Sequence, residues 1–243
     1  MVAGPVLLGR IAALRHHDQL PKLDPARLVE PATSTVQAVR CFAWAGSILG
    51  MPLPRLFVEP EWDGLAQIVP NVPPATRLGK RALSGRGPRE LAFLAGRHLA
   101  GYREDHFVRQ LVQSIPDLED IFLAALTIGQ PSLPLAAQVK ARAAPIARAI
   151  EPLLEPAQLD RLRGSFLRFV EEGGRTNLQR WAAAADFTTA RAGLLIADDL
   201  DAAVSMLRLE GVMDLDAHVD DLIVFVTSDR AGKLRRQLGI AVD

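Results

Sequence analysis

Cys41 is the only cysteine in this chain of 243 residues. A single thiol cannot close an internal disulfide, so the sequence reads as a protein of a reducing compartment, taken as the cytoplasm. The thiol sits in the apolar run Cys41-Phe42-Ala43-Trp44-Ala45, where it packs as a small hydrophobe. Aromatic residues are scarce, at 5% with a single tyrosine. The 49% hydrophobic content is therefore mostly Ala, Leu and Val, which favours helices packed on helices. No sign of charge is in excess, with 28 Lys plus Arg against 28 Asp plus Glu. That balance argues against nucleic acid as the main partner, because neutralising phosphates needs clustered excess positive charge. It also argues against a polybasic membrane anchor. The longest nearly continuous apolar stretch, Cys41 to Leu53, is interrupted by Gly and Pro and too short for a bilayer, so no membrane span is expected. The first residues lack the basic start and cleavage site of a signal peptide.

The pattern along the chain predicts an α+β fold, mostly α, with a small antiparallel sheet and a helical bundle. Residues 1–32 mix a short helical stretch with Pro21, Pro25 and Pro31 and read as an N-terminal lead-in; 33–243 read as one domain. From Ser34 to Leu49, Val36, Val39, Phe42, Ala43 and Ile48 recur at helical spacing, stopped by Gly50. Short strands are expected at 56–58, 65–69 and 76–78, between turn residues. After Gly87-Pro88 the pattern becomes helical, beginning with a helix from about 88 to 103. Further helices are expected at 105–114, 117–128, 135–154, 156–172, 177–197 and 200–209. The pattern closes with 214–225, where 223–227 also suits a strand, and 229–238.

Ordered motifs on this frame resemble the zinc metallopeptidases related to the CAAX-prenyl endopeptidases (gluzincin type). Leu49-Gly50-Met51-Pro52-Leu53-Pro54-Arg55-Leu56-Phe57-Val58 is similar to the phrase that leads into the family's sheet. Glu90-Leu91-Ala92-Phe93-Leu94-Ala95-Gly96-Arg97-His98-Leu99-Ala100-Gly101 occupies the slot of its zinc helix. Asp186-Phe187-Thr188-Thr189-Ala190-Arg191-Ala192-Gly193-Leu194 occupies the slot of the later helix with the third ligand. The resemblance spans roughly Val36 to Leu209 and implies a zincin-like fold.

It also implies a degenerate site. An H-E-x-x-H helix presents imidazoles at i and i+4 to one zinc, and the Glu between them activates the bound water. Here the first His slot is Arg97, the Glu slot His98 and the second His slot Gly101. Asp186 stands at the third ligand and Ala190 at the supporting acid. Guanidinium is never deprotonated and cannot ligate, and glycine has no side chain. The other route to a metal fails too: His98 and His106 are eight residues apart, roughly 12 Å along a helix axis.

These former-site positions lead to an expectation of no metal, no cofactor and no catalytic residue. His98 is expected to be a partly buried, hydrogen-bonded ring, and Arg97 to pair with the Asp186 carboxylate across the old site. The acidic residues Asp198, Asp199, Asp214, Asp216, Asp220 and Asp221 read as a solvated face with helix caps. The function expected is a non-catalytic pseudo-peptidase, an interaction or regulatory module whose partner is a protein or peptide. The alternatives are an enzyme with a repurposed pocket and a residual zinc-dependent peptidase.

Overall fold

A computed structural model describes residues 3–16 and 18–240. The chain divides into two compact units, each assembled from two stretches of sequence: 1–20 with 104–183, and 21–103 with 184–243. The expected lead-in is shared between them. Its helix α1 (Ala3–His16) belongs to the first unit, and its strand β1 (Leu28–Val29) to the second.

The first unit is helical. It contains α1 and then α5 (Glu104–Leu111), α6 (Ile115–Gly129), α7 (Ala137–Ile150) and α8 (Pro156–Glu171), with the first turns of α9 (Leu178–Ala197). Ser114 caps α6 by accepting the Asp117 N–H, and Pro116 lies in its first turn, where a missing N–H leaves no bond unmade. α6 packs on α7 and α8, and α1 on α5 and α7. Phe122 and Phe169 meet edge to face at 5.5 Å between α6 and α8.

The second unit holds a four-stranded sheet in the order β1-β2-β4-β3, where β2 is Arg55–Glu59, β3 Ala66–Val69 and β4 Ala75–Gly79. With it are α2 (Gln37–Leu49), the short α3 (Lys80–Leu83), α4 (Pro88–Ala100), the end of α9, α10 (Leu200–Glu210), α11 (Leu215–Val226) and α12 (Asp229–Gln237). The α+β, mostly α class therefore holds. The sheet is mixed, however, and not antiparallel: β2 and β4 run parallel, while β1–β2 and β3–β4 are antiparallel. The reason lies in burial. Ala75, Thr76 and Leu78 of β4 are all fully buried, so this strand takes a central place with both faces covered. β3 exposes Gln67 and takes the edge. The segment at 223–227, open to helix or strand from its sequence, completes α11 through Val226.

Register also defines the free edge. The Gly79 N–H donates to the Leu65 carbonyl at 2.8 Å, next to the pairs Ala66↔Leu78 and Gln67↔Arg77. Antiparallel pairs alternate, so Gln67 and Val69 bond to β4 while the N–H and C=O of Ala66 and Ile68 face outward. Among the described residues no further strand pairs there.

The inner face of the sheet, α2, α4, α9 and α10 share one core containing Val39, Phe42, Leu56, Leu78, Leu91, Phe93, Leu94, Leu99, Leu194 and Met206. α4 and α9 meet through glycines of the motifs quoted above. A Cβ on Gly96 would lie 2.9 Å from the Ala192 carbonyl oxygen, and one on Gly193 would lie 2.7 Å from that of Phe93. The helical spacing of Leu91, Leu94 and Leu99 on α4, and of Trp181, Phe187 and Leu194 on α9, predicts that each set faces a packed neighbour; the four leucines are buried, but Trp181 is 37% exposed. Among the described residues no helix is long and apolar enough to cross a membrane.

Candidate functional site

α4 is well prepared at its start. Pro88 lies in its first turn, and the Glu90 carboxylate turns back to accept the Gly87 N–H and an Arg86 N–H, each at 2.8 Å. Arg97 and His98 fall in the last turn, where positive groups face the carbonyl end of the helix dipole. Gly101 is already the residue that ends the helix. Successive residues on a helix point about 100° apart, and Arg97 and His98 accordingly serve different neighbours.

Arg97 turns toward α9 and α10. Its Nε donates to Glu210 Oε2 at 2.8 Å. One terminal nitrogen donates to the Asp186 main-chain carbonyl at 3.1 Å and to Thr189 Oγ1 at 3.2 Å. Thr189 in turn donates to the same Asp186 carbonyl at 2.8 Å. Thus Arg97 and Asp186 do meet, as the motif alignment expects, but through the Asp186 backbone. The carboxylate that Nε takes is Glu210, the last residue of α10. Ala190 is buried in the core and offers no polar group.

His98 turns toward the sheet. Its Nε2 lies 2.8 Å from Thr76 Oγ1, which lies 2.7 Å from the Tyr102 hydroxyl. Phe42 meets the imidazole edge-on at 5.4 Å. Burial lowers the His98 pKa to about 3, helped by the adjacent Arg97 charge. The same burial raises the Tyr102 pKa, against the opposing effect of its bond to Thr76. The ring is neutral at ordinary pH and hydrogen-bonded, as expected for a histidine on the packed side of α4. The Cys41 thiol is also pushed up by burial, with Arg40 pulling the other way, so thiolate chemistry is disfavoured.

This donor set does not fit zinc. A guanidinium, a glycine, an alanine, the single Asp186 carboxylate and an imidazole whose Nε2 is engaged by Thr76 do not supply the three or four converging donors that zinc takes. Among the described residues no group of three His, Cys, Asp or Glu side chains is placed to hold a metal ion.

The residues that complete these contacts are Glu210, Thr189, Thr76 and Tyr102. Tyr102 is legible as the next position on the Leu91, Leu94, His98 stripe. Glu210 carries no local signal, being separated from Arg97 by 113 residues. The acidic residues act as caps and pair partners: Asp199 accepts from the Ala202 N–H, Asp214 from the Ala217 N–H, and Asp221 pairs with Arg191. No family model, curated protein or solved structure matches the chain.

Proposed function

We propose that the chain is a non-catalytic interaction module on a peptidase-type scaffold, with an extended protein or peptide segment as its partner. The observation that supports this reading most is the state of Arg97. At the position where the resembled family has its first imidazole, a guanidinium spans Glu210, Thr189 and the Asp186 backbone. A cation held by these acceptors ties helices together; it neither binds a metal nor activates water.

The free edge of β3 supports the choice of partner. Outward N–H and C=O groups at Ala66 and Ile68 have the i, i+2 spacing that an added strand pairs with. A bound segment would carry apolar side chains beside Ala66 and Ile68 and a polar one beside Gln67, whose amide oxygen accepts the Arg77 Nε–H at 2.7 Å.

The test is selection of binders from a displayed peptide library, followed by amide hydrogen exchange on the complex. Protection at the Ala66 and Ile68 amides is expected. It should be lost in Ile68→Pro, which removes an outward N–H without breaking the β3–β4 ladder. Zinc at one equivalent after metal-free purification, with peptide cleavage abolished by chelator, would favour the residual peptidase instead. Reproducible turnover that disappears in both Arg97→Ala and His98→Ala would favour the repurposed enzyme.

A further inference from the structure

α11 buries one side and leaves the other uncovered. His218 and Leu222 are buried, while Asp216, Asp220, Ile223, Val224 and Val226 are exposed together on the far face. Val224 is 70% exposed, and Ile223 and Val226 are each 43% exposed. Aliphatic side chains grouped in this way mark an interaction surface, where scattered ones would not.

The charges around this apolar group are ordered. Acids precede it. Asp214 is spent on capping the helix and Asp221 on Arg191, but Asp216 and Asp220 have no cation within ion-pair distance among the described residues. Bases follow it. α12 starts after the turn Thr227-Ser228 and packs against α11. It exposes Arg230, Lys233 and Arg236 against the single acid Asp229 in its first turn. None of those three bases has a carboxylate partner among the described residues, whereas Arg235 is held by Asp198 and the Leu195 carbonyl. Arg230 is four residues beyond Val226, so its backbone lies within about 14 Å of it.

The order acid, apolar, base decides between occupants. A cationic partner helix would suit Asp216 and Asp220 but meet Arg230 and Lys233. An acidic one would meet the opposite conflict, and an anionic membrane would be repelled by the two aspartates. A second copy related by a twofold axis satisfies both ends at once, because each acid end then faces a base end. We infer that the exposed face of α11 is the interface of a symmetric homodimer, with the two α11 helices antiparallel and Val224 at the axis. Asp216 and Asp220 stand eight and four residues before Val224. In the antiparallel pair they come opposite positions 232 and 228 of the other copy, beside its Arg230 and Lys233. Antiparallel packing also sets opposite ends of the helix dipoles together. This surface is separate from the β3 edge and does not depend on the pseudo-peptidase reading.

The experiment is sedimentation equilibrium on the full chain at low salt, over a wide range of concentration. A reversible dimer is expected, weakened by added salt. Val224→Asp places two like charges at the axis and should weaken association by about tenfold or more. Asp216→Lys with Asp220→Lys makes both ends basic, and Arg230→Glu with Lys233→Glu makes both ends acidic. Each double variant alone should be monomeric, and an equal mixture of the two should form a one-to-one heterodimer. Circular dichroism matching the unaltered chain shows that the variants fold. Ile68→Pro, at the β3 edge, should leave the dimer intact. A chain that is monomeric at every concentration would overturn the inference. So would a dimer that survives Val224→Asp, one lost in Ile68→Pro, or a mixture of the charge variants that stays monomeric. A monomer that takes up a cationic helical peptide at the Val224 methyls would assign the face to a foreign partner and overturn it as well.

Discussion

Arg97 Nε and Glu210 Oε2 lie 2.8 Å apart and join the last turn of α4 to the last residue of α10. Both side chains are mostly buried, at 15% and 20% exposure, so each charge depends on the other. Arg97→Met alone leaves Glu210 without its cation, and Glu210→Leu alone leaves Arg97 without its carboxylate. Each should lower stability by about 2–3 kcal/mol, below the cost of breaking a fully buried pair because some water reaches this one. The double variant should lose less than the sum of the two. Denaturant unfolding of the four proteins measures the coupling, and additivity within about 0.5 kcal/mol would mean the pair is not coupled.

The neutral His98 ring should make stability pH-dependent in one direction. Its folded pKa, about 3, lies below the usual value of 6.5. Between those values the unfolded chain binds more protons than the folded one, so stability falls as pH drops from about 6.5 toward 3. The slope from this group approaches 1.4 kcal/mol per pH unit. Carboxylates add their own acid dependence, so the comparison is with His98→Gln across the same range. The two curves should converge as pH falls. Parallel curves would mean that His98 charges without penalty.

Thr76 holds both partners of the buried polar chain, and removing its hydroxyl affects both. Thr76→Val keeps the shape but leaves His98 Nε2 and the Tyr102 hydroxyl without their shared contact. A loss of about 1–3 kcal/mol is expected from thermal or denaturant unfolding, whereas Thr76→Ser, which retains the hydroxyl, should lose less than Thr76→Val.

The crossing of α4 and α9 should be intolerant of a single methyl. Gly96→Ala and Gly193→Ala each place a carbon under 3.0 Å from a backbone oxygen of the other helix, and should destabilise by about 1–3 kcal/mol. Gly164 on α8 is the contrast, because an added Cβ there meets nothing within 4 Å. Gly164→Ala should gain about 0.5–1 kcal/mol from helix propensity and a less flexible unfolded chain. Equal effects at all three sites would argue against the close crossing.

Much of the secondary structure was legible in the sequence, because helix starts, stops and apolar stripes are local properties. Gly50 ends α2 at φ 60°, Pro88 opens α4, and Leu91, Leu94 and Leu99 recur on one face and are buried together. Residue chemistry alone also says that neither Arg97 nor Gly101 can act as a metal ligand, since neither side chain can donate a lone pair wherever it lies. Strand order was not legible. Nothing in 55–79 states that β4 must insert between β2 and β3, because pairing depends on which strand is buried on both faces. The partners of the site residues were hidden for a related reason. Arg97 could take any nearby acceptor, and only the packing of α10 against α4 brings Glu210 within reach while Asp186 meets it through the main chain. Trp181 carries the same lesson in reverse: a large apolar side chain at helical spacing is buried only where another element covers it. Periodicity names the face of a helix, but the three-dimensional arrangement decides what lies against that face, because contacts between residues far apart in sequence leave no local pattern.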